Sequence, residues 1–250
     1  MRLGIDIGSR YTKIAYPDGD GFVLKKFDTM RFYREFGRNV GGDFLIYWDR
    51  LGISKKIDIV ATGYGRERAK LNGALEIPEI QAHSSGAMYL SGKDTFTLTD
   101  IGGQDVKVVR VEDGVVVNFY TSDRCAASTG RFLENMAQVL NISLEELSRY
   151  KENPVKINST CAVFAETELL DKISRGISIE RLAAGVNYAA VRKFAAMMRR
   201  FPLDEVIITG GVSKNKAVVE LLSEVLGIPL NILPNAMFAG AIGCVSYKKR

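Results

Sequence analysis

The 250-residue chain has few of the residues that form disulfide scaffolds or histidine-rich metal sites, with three cysteines and one histidine. An odd, low cysteine count without a secretion signal argues against a disulfide framework. A triad with a histidine base could use only His83, and one chain cannot form a site with several histidine ligands. His83 lies in EIQAHSSGAMYL, a predicted helix, where we expect a packed structural role.

Long apolar runs and the common nucleotide fingerprints are also missing. No run approaches the ~18 residues of a membrane span, and MRLGIDIGSR reads as a strand without a signal-peptide core. We therefore expect a cytoplasmic protein without a membrane partner. Neither the Walker sequence nor the dinucleotide fingerprint occurs, which excludes a P-loop protein. The net charge of +5 is scattered and forms no basic stripe, so we expect no nucleic-acid partner.

Two segments of the chain share one design, which indicates an internal structural repeat. A strand, an Asp-Ile-Gly turn, a second strand, a hairpin turn and a third strand are predicted in RLGIDIGSRYTKIAYPDGDGFVLKKF and again in FTLTDIGGQDVKVVRVEDGVVVNFY. Helical patterns and further strands follow each repeat. We therefore expect an α/β protein with two subdomains, each with a mixed sheet, and a cleft between them.

The expected subdomains are 1–77 with 236–250, and 78–235. The predicted strands are 3–7, 12–16, 22–27, 57–61, 96–101, 106–111, 115–120, 206–209 and 229–233. The predicted helices are 131–140, 143–150, 161–175, 179–200, 215–226 and 236–247.

Three glycine-rich turns each follow an apolar strand: DIGS at 6–9, DIGGQD at 100–105 and TGGVSKN at 209–215. Glycine lets a backbone approach a ligand closely, and freed N–H groups can hold phosphate oxygens. A carboxylate beside such a turn can hold Mg²⁺, usually through water. One turn alone is compatible with a plain hairpin glycine, but three, two of them in matching halves, favour a nucleotide site.

Cys125 and Cys161 both follow polar loop residues and precede predicted helices, in SDRCAASTGRFLENM and NSTCAVFAETELL. The positive end of a helix favours a thiolate, which is the form that binds metals. A zinc ion or a cubane iron–sulfur cluster commonly takes four thiolates, and a two-fold dimer would supply four. The alternative is a pair of buried, inert cysteines, which is the commonest fate of a free cysteine.

The glycine-rich turns resemble those of the superfamily of acetate and sugar kinases, heat-shock chaperones and actin. The resemblance implies two ribonuclease H-like subdomains of the actin-like ATPase type with a nucleotide cleft between them. By resemblance, GIDIGSRYTK is the first phosphate segment, TDIGGQDVK the second, ITGGVSKN the adenosine segment and GAIGC the last connecting helix.

The same resemblance implies that ATP and Mg²⁺ bind through these turns. Asp6 and Asp100 are candidates for coordinating Mg²⁺, directly or through water, and Asp100 or Asp105 would orient the attacking water. Gly210 and Gly211 would back the adenosine. The candidates for contacts with the phosphates are Ser9, Arg10, Tyr11, Thr12, Lys13, Gly102, Gly103 and Gln104.

Four motifs resemble a narrower family, in the same order over nearly the whole chain: ATGYGR, DIGGQDVKV, CAASTGRFLE and STCAVFAETE. They are similar to the activator ATPases of 2-hydroxyacyl-CoA dehydratases, a family that includes the ATPase subunits of benzoyl-CoA reductase. The resemblance implies one 4Fe–4S cluster that bridges a homodimer, with Cys125 and Cys161 of each subunit as ligands. Cys244, in a small-residue helix, is expected to be structural.

The implied activity is ATP-driven electron transfer. A ferredoxin- or flavodoxin-type donor would load the cluster, and closure of the subdomains would alter the angle between the cluster-bearing helices. Hydrolysis would accompany transfer of one low-potential electron to a dehydratase or reductase partner. Two rival interpretations stay open: a small-molecule kinase with Asp100 as base and inert cysteines, and a non-catalytic nucleotide-dependent interaction protein.

Three features depart from the family pattern or match no motif. Ser128 stands where the family usually has glycine. Met237 and Phe238 stand where it often has a polar residue followed by an aromatic or small one. The aromatic-rich segment 29–52, TMRFYREFGRNVGGDFLIYWDRLG, fits no motif.

Overall fold

The computed structural model describes residues 2–40, 43–53, 57–67, 73–122, 129–158 and 161–248. They belong to two units, Met1–Asp94 with Leu233–Arg250 and Thr95–Ile232. In the described part of the chain, no helix combines the length and the hydropathy needed to cross a membrane.

The secondary structure alternates between hairpins and helices. The strands are β1 (Arg2–Ile7), β2 (Tyr11–Asp18), β3 (Gly21–Asp28), β4 (Gly37–Val40), β5 (Asp43–Ile46), β6 (Asp58–Thr62), β7 (Leu75–Glu76), β8 (Phe96–Ile101), β9 (Val106–Glu112), β10 (Val115–Thr121), β11 (Val206–Thr209) and β12 (Asn231–Ile232). The α-helices are α1 (Thr29–Phe36), α2 (Glu79–Ser91), α3 (Gly130–Val139), α4 (Leu144–Leu147), α5 (Ala162–Ser174), α6 (Ile179–Met198), α7 (Lys216–Leu226) and α8 (Ala239–Ser246). Short 3-10 turns cover Trp48–Leu51, Gly211–Lys214 and Ala236–Phe238.

The sheet of the first unit has the strand order β3-β2-β1-β6-β7. β1 pairs antiparallel with β2 and parallel with β6, so Asp6 lies opposite Lys13 and beside Thr62. Side chains alternate between the faces of a strand. Leu3, Ile5 and Ile7 are therefore buried in one apolar core, whereas Gly4 and Asp6 face α8.

The segment 29–52, which matched no sequence motif, completes the core of this first unit. It forms α1, the β4–β5 hairpin and the 3-10 turn Trp48–Leu51. Phe32 of α1 is fully buried and packs against Phe27 and Phe36, with ring centroids 5.8 and 5.6 Å away. Phe32 and Trp48 of this segment, with Tyr33 and Phe36 packed against them, thus belong to the apolar core that Leu3, Ile5 and Ile7 of β1 also join.

Helices α2 and α8 pack closely because glycines face the partner's backbone. A Cβ on Gly86 would collide with the carbonyl oxygen of Ala239, and one on Gly243 with that of Ala82. Cys244 is fully buried beside them. Burial raises the pKa of the Cys244 thiol well above its usual value, and the nearby Asp6 charge raises it further. This thiol stays protonated, in agreement with the structural role expected for it.

The second unit repeats the arrangement, with the strand order β10-β9-β8-β11-β12. Asp100 lies opposite Lys107 in the antiparallel pair β8–β9 and beside Thr209 in the parallel pair β8–β11. The spacing from aspartate to lysine is thus the same in both repeats. Helices α3, α6 and α7 contribute Phe132, Phe194 and Leu222, among others, to a single large apolar cluster on one face of this sheet.

Two predicted elements are shorter than expected. The predicted strand 229–233 contracts to Asn231–Ile232, since Pro229 has no N–H for a ladder bond. The predicted helix 143–150 contracts to Leu144–Leu147. Beyond Leu147, the N–H groups of Arg149 and Tyr150 bond three residues back, to the carbonyl oxygens of Glu146 and Leu147, so the α-helix ends in a tighter turn.

The predicted boundary between the two subdomains, after residue 77, stays a prediction. In the structure, α2 packs on α8 and shares the unit of the N-terminal sheet. This packing places the change of unit between Asp94 and Thr95, after the helix. The predicted cleft likewise stays a prediction.

Candidate functional site

The first Asp-Ile-Gly turn, at 6–9, presents a buried carboxylate at the end of β1. Asp6 is only 4% exposed, and its Oδ2 accepts a 2.9 Å hydrogen bond from Nζ of Lys13. The two residues face each other across the β1–β2 ladder. Lys13, predicted to neutralise a phosphate, therefore already neutralises the aspartate that was predicted to hold Mg²⁺.

The start of α1 holds this first turn in place. The Thr29 hydroxyl donates to the carbonyl oxygen of Gly8 at 2.7 Å and lies 3.1 Å from the hydroxyl of Thr12. The guanidinium of Arg10 pairs with Asp28 at 2.7 Å. The predicted phosphate ligands Thr12 and Arg10 thus brace the turn, and their role toward a nucleotide stays a prediction.

Ser9 and Tyr11, the remaining candidates of the first turn, are half-buried. Two cations approach the Tyr11 ring: the guanidinium carbon of Arg10 lies 5.2 Å and Nζ of Lys26 4.5 Å from its centroid. Such cation–π contacts fix the ring. The roles of Ser9 and Tyr11 toward a nucleotide stay predictions.

Small residues surround the carboxylate of Asp6. Gly63, with φ of 91°, follows β6, and a Cβ there would lie 2.6 Å from Oδ1 of Asp6. A Cβ on Gly240 of α8 would lie 3.0 Å from Oδ2 and 2.7 Å from Nε2 of His83. Any side chain at either glycine would collide with the carboxylate. The glycine backbones thus pack directly on the carboxylate of Asp6. A carboxylate is the type of ligand that Mg²⁺ takes, directly or through water.

The second Asp-Ile-Gly turn, at 100–105, repeats the buried carboxylate. Asp100 is 4% exposed, and its Oδ1 accepts a 2.9 Å hydrogen bond from the hydroxyl of Thr209 on β11. Lys107 occupies the position equivalent to Lys13, and its Nζ binds Oδ1 of Asp105 at 2.8 Å. Asp100 and Asp105 thus stand at the two ends of one turn, and their roles toward Mg²⁺ and the attacking water stay predictions.

The N-terminus of α3 packs on this second turn. The backbone N–H groups of Gly130 and Arg131 donate to the carbonyl oxygens of Gly102 and Gly103, at 2.9 and 3.2 Å. A Cβ on Gly130 would lie 2.8 Å from the Gly102 oxygen, so glycine is needed for this approach. Gln104, at the tip of the turn, is exposed. The carbonyl groups of Gly102 and Gly103 thus hold the turn in place, and the exposed tip at Gln104 stays accessible to a ligand.

The third glycine-rich turn, at 209–215, is fixed by a glycine with a positive φ and by buried polar side chains. Gly210 has φ of 85°, and a Cβ there would collide with the backbone of Ile101. Its carbonyl oxygen accepts a 2.7 Å bond from Ser213. Asn215 caps α7 by accepting from the N–H of Val218 at 2.9 Å. Gly211 is exposed, so one of the two glycines predicted to back the adenosine is accessible.

The structure describes only one of the two cysteines that were predicted to bind the cluster. Cys161 is exposed and is the N-cap residue of α5, with φ of −88° and ψ of 138°. Val163 and Phe164 beside it are both 69% exposed. Cys125 lies outside the described residues, as does Ser128. Within the described ranges, no group of three or more histidine, cysteine, aspartate or glutamate side chains could hold a metal ion.

The family model described as the BadF/BadG/BcrA/BcrD ATPase family matches residues 3–247. The chain belongs to this ATPase family. It is 36% identical over 256 residues to the activator of lactoyl-CoA dehydratase of Anaerotignum propionicum, over 98% of this chain and 96% of that protein. It is 35% identical over 255 residues to the (R)-2-hydroxyglutaryl-CoA dehydratase activating ATPase of Acidaminococcus fermentans, over 98% and 95% of the two chains.

Among solved structures, the activator of the 2-hydroxyisocaproyl-CoA dehydratase from Clostridium difficile, with bound ADPNP, matches with a TM-score of 0.84. The sequences are 28% identical, and the match covers 98% of this chain and 93% of that chain. The predicted membership of this ATPase family and the predicted α/β fold are therefore confirmed.

Several residues that shape the site were absent from the sequence-based set. Thr29 holds the first turn and Thr209 holds Asp100, while the backbones of Gly63 and Gly240 pack directly against the carboxylate of Asp6. Thr209 directly precedes a glycine pair, which is a signal that could have found it. His83 was assigned to packing alone, and its Nε2 lies against Gly240, the glycine that also packs on Asp6.

Proposed function

We propose that this member of the BadF/BadG/BcrA/BcrD ATPase family is an ATP-driven electron-transfer activator of a 2-hydroxyacyl-CoA dehydratase or a related reductase. Family membership and the names of the relatives support the ATPase and activator parts. The observation that carries the electron-transfer part is Cys161, an exposed thiol that caps a helix in a chain whose Cys244 is fully buried.

The nucleotide half of the proposal uses the three glycine-rich turns. Asp6 and Asp100 end equivalent strands, each buried and each held by a neighbouring side chain. They would bind Mg²⁺ directly or through water, while the tip of the second turn contacts the phosphates. Asp105, fixed by Lys107 at 2.8 Å, is a second candidate for orienting the attacking water. Gly210 and Gly211 would back the adenosine.

The cluster half of the proposal uses Cys125 and Cys161 of two subunits. Cys161 fits such a ligand because it is exposed and caps the N-terminal end of α5. Two thiolates from each chain would satisfy the four that a 4Fe–4S cluster commonly takes. Such a cluster supplies one-electron transfer when bound. A ferredoxin- or flavodoxin-type protein is the proposed donor.

The surface around Cys161 supports a homodimer. Val163, Phe164 and Leu170 of α5 are all more than half exposed, whereas Ala165 and Leu169 face the core of their own unit. Large apolar side chains exposed beside one another mark interaction surfaces more often than solvated ones. A two-fold axis close to Cys161 would bury this apolar surface and bring the two Cys161 thiols together.

A kinase on the same fold remains the main rival, and it leaves the exposed thiol without a role. The test is the iron and acid-labile sulfide content of Cys125→Ser, Cys161→Ser and Cys244→Ser, all purified without oxygen. Each of the first two removes two of four ligands in the dimer, because symmetry doubles the loss. Serine oxygen is a poorer match for iron–sulfur chemistry than thiolate. We expect both to lose most of their iron and to keep ATP binding.

The matched control, Cys244→Ser, should keep its iron, because Cys244 lies in α8 against the carbonyl oxygen of Ile5. A brown colour of the wild-type protein that disappears on reduction with dithionite would support the iron–sulfur cluster over the kinase alternative. Colourless wild-type protein without iron, or full iron content in Cys161→Ser, would contradict the proposal.

A further inference from the structure

Helix α5, which begins directly after Cys161, rests on the core of the second unit through a narrow face. Ala165 and Leu169 are the two residues of this helix that are fully buried. Ala162 and Ile173 are partly buried and pack against the same apolar cluster. Because so few apolar side chains hold the helix, its exact position depends on further contacts.

Glu168 of α5 supplies such a contact by binding the chain segment that leads to Cys161. Both of its carboxylate oxygens accept from the backbone N–H of Asn158 at 3.1 Å, and Oε1 also accepts from Nδ2 of Asn158 at 3.3 Å. Nζ of Lys172, one turn further along α5, lies 3.5 Å from Oε1. The Glu168 side chain is only 15% exposed, so these contacts are less screened than contacts on an open surface.

The segment that Glu168 binds has its own anchor in the core of the unit. Ile157, which directly precedes Asn158, is 5% exposed and belongs to the large apolar cluster. A Cβ on Gly185 of α6 would collide with the carbonyl oxygen of Val155, so the backbone of this segment lies directly on α6. Glu168 therefore joins a segment fixed on α6 to the helix α5.

Cys161 lies between the two parts of the chain that Glu168 joins. Its carbonyl oxygen accepts a helical hydrogen bond from the N–H of Ala165 at 2.9 Å, and its thiol is exposed. The three peptide links from Asn158 to Cys161 span at most about 11 Å. With Asn158 held on one side and the first turn of α5 on the other, the position of the Cys161 backbone is restricted from both directions.

We propose that Glu168 is a positioning residue for Cys161. Its carboxylate fixes where α5 begins relative to the segment anchored on α6, and it thereby fixes the place of the Cys161 thiol. A ligand shared across a two-fold axis needs a fixed place, because any displacement in one subunit recurs in the other. Groups that orient a metal ligand typically change metal affinity or activity about 10- to 100-fold. The inference rests on the proposed function, in which Cys161 binds a cluster.

The test compares Glu168→Ala, Glu168→Asp and Glu168→Gln with wild type, all purified without oxygen. The aspartate carboxylate ends about 1.5 Å earlier, the length of one C–C bond, which takes the 3.1 Å contacts with Asn158 beyond hydrogen-bond range. Glutamine keeps the length of the side chain and one oxygen that accepts from the Asn158 N–H.

The matched control is Asp171→Ala, because Asp171 is a carboxylate of the same helix that pairs with Arg175 at 3.0 Å. It lies about 15 Å along the helix from Cys161, and it does not contact the segment before α5 through this pair. Calorimetry with ADP and thermal unfolding verify the nucleotide site and the fold of every variant.

Three measurements report on the proposed role. Amide hydrogen exchange of the metal-free protein follows the Asn158 N–H. The rate of iron release to a chelator shows how firmly the cluster is held. The EPR spectrum of the dithionite-reduced protein reports on the geometry of the cluster.

We expect faster exchange of the Asn158 N–H in Glu168→Ala and Glu168→Asp, iron release about 10- to 100-fold faster than in wild type, and a changed EPR spectrum. Glu168→Gln should recover most of the wild-type behaviour, because it keeps the acceptor and loses only the charge. A role of the charge alone would instead make Glu168→Gln resemble Glu168→Ala. Asp171→Ala should behave as wild type, and ADP affinity should be unchanged throughout.

Wild-type iron release and EPR spectra in both Glu168→Ala and Glu168→Asp would overturn the inference. Iron release from Glu168→Gln as fast as from Glu168→Ala would overturn it as well. If Glu168→Ala does not fold, Glu168→Asp and Glu168→Gln decide by the same criteria. A wild-type protein that folds and binds ADP but never holds iron would instead contradict the proposed function, and the inference would fall with it.

Discussion

Replacing Asn187 with alanine is expected to destabilise the second unit and to loosen the third glycine-rich turn. Asn187 is fully buried in α6 and donates 2.8 Å hydrogen bonds from Nδ2 to the carbonyl oxygens of Leu147 and Tyr150. Its Oδ1 accepts a 3.1 Å bond from Nδ2 of Asn215. Asn215 in turn caps α7 through Val218, so one side chain links α4, α6 and the N-terminus of α7.

The size of this loss of stability follows from the buried polar groups that lose a hydrogen-bond partner when Asn187 is truncated. The Leu147 oxygen keeps a 3.3 Å bond from the N–H of Tyr150, so the loss falls mainly on the Tyr150 oxygen and the Asn215 amide. An abandoned buried polar group costs about 1–3 kcal/mol. Two such groups give about 2–6 kcal/mol, a large part of the ~5–15 kcal/mol by which native proteins are stable. At about 2–4 °C for each kcal/mol, Tm should fall by at least about 4 °C.

The assay is urea and thermal unfolding of Asn187→Ala, Asn215→Ala and the double variant. Asn118→Ala, at an exposed position of β10, is the matched control and should stay within about 0.5 kcal/mol of wild type. Residues in one hydrogen-bond network are coupled by about 0.5–3 kcal/mol, so the double variant should lose less than the two single losses together. A loss below about 1 kcal/mol for Asn187→Ala, or strict additivity, would refute the reasoning.

Two further predictions concern other buried or paired charges. Asp100→Ala should abolish phosphate release from ATP while leaving iron content intact, and unchanged hydrolysis at saturating Mg²⁺ would refute it. The hydrogen bond from Arg110 lowers the pKa of Asp204, so this pair stabilises the protein above the unfolded-state pKa of about 3.9 and ceases to do so as pH falls through the lowered value. With Asp204 56% exposed, Asp204→Asn should lose at most about 1 kcal/mol in urea at pH 7, and a loss that does not diminish as the pH is lowered below about 3.9 would contradict the assignment.

The repeats could be predicted because their signals are local. The predicted strand 106–111 and the predicted strand 115–120 agree with β9 and β10 to within one residue. Between them, Asp113 and Gly114 adopt φ of 49° and 73°, as a tight hairpin turn requires. Alternating apolar residues and a turn dipeptide are sufficient to specify such a hairpin, whatever packs on it.

The surroundings of the two aspartates could not be predicted because they depend on tertiary packing. Thr209 reaches Asp100 from 109 residues away in the sequence. His83 and Gly240 meet beside Asp6 only because two glycine-bearing helices pack closely. No periodicity along the chain carries this information. For the same reason, the aromatic residues of 29–52 gave no motif, although Phe32 lies at the centre of a core.

The central claim, a cluster shared between two subunits, is tested most directly by native mass spectrometry of protein purified without oxygen. The account predicts one species of two chains carrying four irons and four sulfides, since one chain offers two thiolates at matched positions. Treatment with an iron chelator should remove this mass and weaken the dimer. A single chain carrying its own four-iron cluster, or a dimer that never contains iron even after anaerobic reconstitution, would contradict the account.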